Sequence, residues 1–210
     1  MMQIDWSRFL PALVLLLPPI ALFHGPRVRY RALPQDWGSY WIPTLRLGLH
    51  SIDVLRAMLG AWCLLESFSA APGASKFLPP TAAAVVMGCA MLLQTFFCRE
   101  PHAVHAPFAF AAGLIIGYLP VASGGFSLVI AAVVAAGTRS PISFFPVLSF
   151  AVVVTGVLFN QLALSLRTAT AAAAVGLPWL IVLLFPRYWV ATHARKRTTH
   201  SHGDPRDKRG

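Results

Sequence analysis

The chain has 210 residues, of which 57% are hydrophobic and 11% charged, and its mean hydropathy is +0.66. This composition is far more apolar than a water-soluble domain of the same length requires, so it favours a membrane protein over a soluble globular fold. The formal net charge of +10 would suggest nucleic-acid binding in a soluble protein. Here the basic residues lie at the ends of apolar segments, as the positive-inside rule produces, and we expect no nucleic-acid partner.

The apolar segments predict an all-α, polytopic transmembrane helical bundle of about seven spans, or six if the first segment does not cross. That first segment, residues 9–23, is short and contains Pro18-Pro19, so a signal peptide, a re-entrant segment and a spanning helix are all compatible with it. We favour an uncleaved span, because no cleavage pattern closes it and a basic cluster follows it. The cluster consists of Arg27, Arg29 and Arg31.

The remaining apolar stretches lie near 44–68, 80–98, 106–137, 142–166 and 169–185. The stretch 106–137 is either one long span or two short spans broken at Pro120. If 106–137 forms two spans, the segments predicted to lie outside hold only Arg8, Lys76 and Arg167. If it forms a single span, the basic cluster would lie outside, against the positive-inside rule. We therefore predict seven spans in the plasma membrane, of the bacterial inner-membrane type, with the N-terminus outside and the C-terminus inside.

Two polar regions complete the predicted organisation: an interfacial loop at 24–43 within a bundle that covers 1–190, and a basic tail at 191–210. The loop ends in three aromatic residues, Trp37, Tyr40 and Trp41. Such rings favour the headgroup layer of a membrane. The tail has few apolar residues to offset its ordering entropy, so we expect a disordered cytoplasmic segment.

Charged residues inside a predicted span are the strongest functional signal in the sequence. At 100° per residue, four polar positions of the second span form one stripe along a helix: Arg46, His50, Asp53 and Arg56. Asp53 and Arg56 lie roughly two to three turns deep, where each charge costs about 2.5–3.5 kcal/mol, so both must face protein or water. Either they form an ion pair that fixes packing, or they line a polar cavity for a substrate, an ion or a headgroup.

A second polar cluster lies between the third and fourth predicted spans, on the cytoplasmic side. It comprises Arg99, Glu100, His102 and His105. Two histidines with carboxylates are competent for zinc or iron, but this H-x-x-H lies between prolines and lacks the glutamate of H-E-x-x-H, so we predict no metal site. The arginines of both clusters would suit the phosphate of a lipid headgroup. Haem ligation needs histidines that face one another from two spans, and only His50 lies clearly inside one, so we expect no cofactor.

The residues Gly113 and Gly117 form a small-x-x-x-small pair, which lets helix backbones approach closely. Ala84 and Gly88 repeat the pattern in the third predicted span. We expect these pairs to pack helices within the bundle, with homodimerisation as the alternative.

Together these features predict a carrier or binder of a small solute, an ion or a lipid headgroup that uses the polar stripe of the second span. One alternative is an assembly or accessory subunit of a membrane complex, whose stripe docks against a partner protein. Another is a membrane enzyme acting on a lipid-linked substrate at the cytoplasmic face. The sequence favours a non-enzymatic role, since no nucleophile, Walker or dinucleotide motif occurs in a suitable context. The expected partners are the lipid bilayer and a membrane protein.

Overall fold

The computed structural model describes residues 2–18, 27–29, 48–70, 78–96, 103–138, 143–159, 165–184 and 188–192. Helices dominate these stretches, as the sequence predicts. The seven helices found there are α1 Trp6–Leu16, α2 Gly48–Ser67, α3 Leu78–Phe96, α4 Phe108–Tyr118, α5 Val121–Gly137, α6 Phe144–Phe159 and α7 Leu166–Leu184. The same stretches contain five short strands: β1 Met2–Ile4, β2 Arg27–Arg29, β3 Phe68–Ala70, β4 Ala103–His105 and β5 Tyr188–Thr192.

Caps and prolines set several of the helix boundaries. α1 begins after Asp5, whose carboxylate accepts a hydrogen bond from the backbone N–H of Ser7 at 3.0 Å. It ends at Leu16, shortly before Pro18, so the helix stops well short of the predicted span end at 23. Pro120 separates α4 from α5, and the stretch 106–137 therefore contains two helices, as the charge pattern predicts.

The paired strands fix which helix ends lie together. β1 pairs antiparallel with β3, so the start of α1 lies beside the end of α2. β5 pairs antiparallel with β2 and parallel with β4, which joins the segment after α1, the start of α4 and the chain after α7. We call the end of the bundle at β1 and β3 the two-stranded end, and the end at β2, β4 and β5 the three-stranded end. β5 also includes residues 191 and 192 of the predicted tail, and the rest of that tail lies outside the described residues.

Side-chain contacts place the other helices. The Tyr118 hydroxyl donates to the carbonyl of Pro80 at 3.3 Å, and Arg167 donates to the carbonyl of Tyr118, so the end of α4 and the starts of α3 and α7 share the two-stranded end. The hydroxyls of Thr138 and Ser143 lie 3.0 Å apart where the chain passes from α5 to α6. Successive helices therefore alternate in direction along the bundle.

α2 and α4 approach each other closely through small residues. A Cβ added at Gly113 would lie 2.7 Å from the Cβ of Ala57, and one added at Gly117 would lie 2.8 Å from the carbonyl carbon of Met58. The glycine pair therefore packs helices within the bundle, which confirms that prediction.

In the described part of the chain one helix, α3, is long and apolar enough to cross a membrane. Four other helices there, α1, α4, α5 and α6, are apolar but shorter than a full span requires, and so is the apolar part Leu166–Ile181 of α7. The helical class is thus observed, while helix length alone does not confirm a polytopic membrane bundle.

Candidate functional site

The structure pairs the two deep charges of α2 with each other. The side chains of Asp53 and Arg56 are 8% and 11% exposed. The Nε of Arg56 donates to Oδ1 of Asp53 at 3.1 Å, and its Nη2 donates to the same oxygen. A spacing of three residues brings side chains together on one helix face. The intrahelical ion pair, one of the two interpretations of the stripe, is therefore formed.

Arg56 also binds the C-terminal end of α1. Its Nη1 donates to the carbonyl of Leu15 at 2.6 Å and to the carbonyl of Leu17. Helix C-terminal ends leave carbonyls without partners and carry partial negative charge, which a guanidinium neutralises. The Cζ of Arg56 lies 5.2 Å from the centroid of the Phe110 ring in α4, which is cation–π distance. One guanidinium thus connects Asp53, α1 and α4.

The contact between Arg56 and the end of α1 lies about halfway along α2, because α1 packs along only half of that helix. Arg8, near the start of α1, donates to Glu66 of α2 at 3.0 Å. The other end of α1 reaches Arg56, and its eleven residues rise about 16 Å, against about 30 Å for the twenty residues of α2. The arginine of the buried ion pair therefore binds the carbonyls at the end of α1 in the middle of the bundle.

Two of the other predicted site residues lie in elements that the structure describes. His50 lies in the first turn of α2, and His105 is the last residue of β4. Four further candidates, Arg46, Arg99, Glu100 and His102, lie outside the described residues. The structure thus brings Asp53 and Arg56 together and places His105 in a different part of the fold.

The register of the three-stranded sheet gathers basic positions from distant parts of the chain. Arg29 is paired with Val190, and Val190 with His105, so the three positions form one row across the sheet. Arg27 is paired with Thr192, and alternate residues of a strand share a face, so both arginine positions share a face with His105. The paired positions on the opposite face are apolar residues: Val28, Val104, Trp189 and Ala191.

Arg167, to which sequence reasoning gave no site role, satisfies the end of a second short helix. Its Nε donates to the carbonyl of Tyr118 at 2.6 Å, and its Cζ lies 5.1 Å from the centroid of the Tyr118 ring. Tyr118 is the last residue of α4, which has eleven residues like α1. The two residues are 49 positions apart, so no local sequence signal could have revealed this contact.

A gap between α3, α4 and α7 is a packing space rather than a binding pocket. Its lining is apolar and includes Met87, Leu114 and Val175, and it has no room for a water molecule. Within the described stretches, no three His, Cys, Asp or Glu side chains group as metal ligands.

No protein-family model, curated protein or solved structure matches this chain.

Proposed function

We propose that the protein is a seven-span integral membrane protein whose three-stranded end, on the cytoplasmic side, binds the anionic headgroup of a lipid. The observation that carries this proposal is the sheet register, which puts Arg27, Arg29 and His105 on one face. Guanidinium groups bind phosphate through charge-assisted, often bidentate hydrogen bonds. Basic residues at a membrane surface gain about 1 kcal/mol each from anionic lipids.

Exposed apolar side chains support insertion of the bundle into a membrane. Along α2, four large apolar residues are between 46% and 61% exposed: Ile52, Leu55, Leu59 and Trp62. α5 exposes five more: Val121, Phe126, Val129, Ile130 and Val133. Contiguous apolar surface of this kind is rare on a soluble monomer, whereas lipid tails would cover it without cost.

The distribution of charge supports the proposed orientation. At the two-stranded end the described charges, Asp5, Arg8, Glu66 and Arg167, sum to zero. Further arginines, among them Arg31, Arg99 and Arg139, lie in the sequence segments that are predicted to be cytoplasmic, and β2 and β4 border two of these segments. The positive-inside rule therefore favours the three-stranded end as the cytoplasmic one.

The polar stripe of α2 supports packing more strongly than it supports a solute path. Arg56 gives hydrogen bonds to Asp53 and to two carbonyls of α1, and a solute would have to displace these buried contacts. A headgroup at the three-stranded sheet would displace none of them. For this reason we place the binding site at the sheet.

Orientation is tested by labelling single cysteines with a membrane-impermeant maleimide in intact cells. The variants are Ser69→Cys in β3 and Ala191→Cys in β5, in a background without Cys63, Cys89 and Cys98. We expect Ser69→Cys to react in intact cells and Ala191→Cys to react only after permeabilisation. Reaction of both positions from outside would contradict the proposed topology.

Headgroup binding is tested by native mass spectrometry of the full-length protein in mild detergent with phosphatidylglycerol or phosphatidylcholine added. We compare the wild type with Arg27→Gln/Arg29→Gln and with a charge-matched control, Arg206→Gln/Lys208→Gln. Two lost lipid contacts of about 1 kcal/mol each predict a roughly thirtyfold weaker binding of phosphatidylglycerol in the first variant.

The control variant is expected to keep wild-type affinity. Equal affinity in all three proteins, or equal binding of the neutral lipid, would refute the proposal. A co-purifying protein without bound lipid would instead support an assembly subunit.

A further inference from the structure

We infer that the C-terminal end of α1, Asp53 and the Phe110 ring form a cation-binding site, in which the side chain of Arg56 is the resident cation. Three kinds of cation ligand converge there: a carboxylate, backbone carbonyls and an aromatic face. The site lies on other elements than the sheet, so this inference is independent of headgroup binding.

The sequence creates the free carbonyls that the site uses. In a continuing helix, the N–H of residue 19 would bond to the carbonyl of Leu15. Residues 18 and 19 are both prolines and have no N–H to donate. The Leu15 carbonyl therefore needs a donor from another helix, and Arg56 supplies it at 2.6 Å.

Electrostatics explains why the site requires a cation. A helix C-terminal end carries roughly half a negative charge, and Asp53 adds a full one. The Asp53 side chain is 8% exposed, so water offers little screening of that charge. Removal of the guanidinium would leave a buried carboxylate and free carbonyls, which a soluble cation of matching shape would occupy.

The test is chemical rescue of Arg56→Ala, measured as thermal unfolding of the purified full-length protein. We expect the melting temperature to fall by roughly ten degrees. Added methylguanidinium should restore much of this loss with a saturable dependence on concentration, and urea at the same concentrations should not. Absence of saturable rescue, or equal rescue by urea, would overturn the inference.

Two matched variants isolate the site. In Asp53→Asn/Arg56→Ala the carboxylate is removed, so methylguanidinium should give no saturable rescue. In Arg167→Ala the vacated position lies at the end of α4, where the described residues place no carboxylate within salt-bridge distance. Rescue there should be weaker, and rescue equal to that of Arg56→Ala would contradict a specific site.

If Arg56→Ala does not fold, Arg56→Lys and Arg56→Gln provide the comparison. Lysine keeps the charge, whereas glutamine keeps a donor without the charge. We expect the lysine variant to fold and to melt well above the glutamine variant. Equal stability of the two would show that the position needs a hydrogen-bond donor rather than a cation.

Discussion

Alanine at Gly113 is expected to force α2 and α4 apart. The added Cβ would lie 2.7 Å from the Cβ of Ala57 and closer still to the carbonyl oxygen of Val54. Rotation of a side chain does not relieve a contact with backbone, and Ala57 is itself fully buried. The two helices must therefore separate, and neighbouring contacts along the same interface are lost.

The expected magnitude follows from two opposing contributions. Overpacking of this kind costs about 1–3 kcal/mol, and the better helix propensity of alanine returns about 0.5–1 kcal/mol. Because the contact with Val54 is a contact with backbone, the cost lies in the upper half of that range, and the net loss in free energy of unfolding is about 1–2 kcal/mol. For a chain of 210 residues, this corresponds to a melting temperature lower by about 2–8 °C.

Gly125→Ala is the matched control, because a Cβ at Gly125 in α5 would meet nothing within 4 Å. It brings the same gain in helix propensity without a clash, so its melting temperature should stay the same or rise. Both variants are measured by thermal unfolding in the same detergent. If Gly113→Ala melts at or above the wild-type temperature while the control behaves as expected, the close α2–α4 contact is wrong.

Two further predictions concern polar contacts. The hydroxyls of Ser127 and Thr155 lie 2.7 Å apart in the buried interface of α5 and α6. A double-mutant cycle with Ser127→Ala and Thr155→Val should give a coupling free energy of about 0.6 kcal/mol, which is the average measured for such bonds between helices of a membrane protein. The pKa of Asp5 lies below its usual value, chiefly because the Ser7 hydroxyl donates to its carboxylate. The hydrogen bond to the Asp5 carboxylate contributes stability that is present above the unfolded pKa of about 3.9 and is lost as pH falls through the lowered folded pKa. Below about pH 4, the melting temperature of the wild type should therefore depend on pH more steeply than that of Asp5→Asn. Titration of Asp5 at or above its usual pKa would contradict the cap.

The helices and one part of the site could be predicted because their signals are local. The apolar stretch 80–98 became α3, Leu78–Phe96, and Pro120 marked the break between α4 and α5. The ion pair of Asp53 and Arg56 follows from a spacing of three on one helix. In each case the relevant residues lie within a few turns of one another.

The rest depends on how distant segments meet. Arg56 and Leu15 are 41 positions apart, so their hydrogen bond follows from the packing of α1 on α2 rather than from any pattern in either segment. The strands were missed because three residues, as in β2 and β4, are too few to show an alternating pattern.

The structure divides the basic residues of this chain into two kinds with different expected effects. Arg56 and Arg167 close the ends of the two eleven-residue helices, where an unbonded carbonyl would be costly in an apolar environment. Arg27 and Arg29 share one face of a sheet at the end of the bundle. Substitution of the first pair should therefore lower the melting temperature and leave lipid affinity per folded molecule unchanged. Substitution of the second pair should lower lipid affinity with little change in melting temperature. A net charge of +10 alone does not separate these roles, because the difference lies in the elements that carry the arginines.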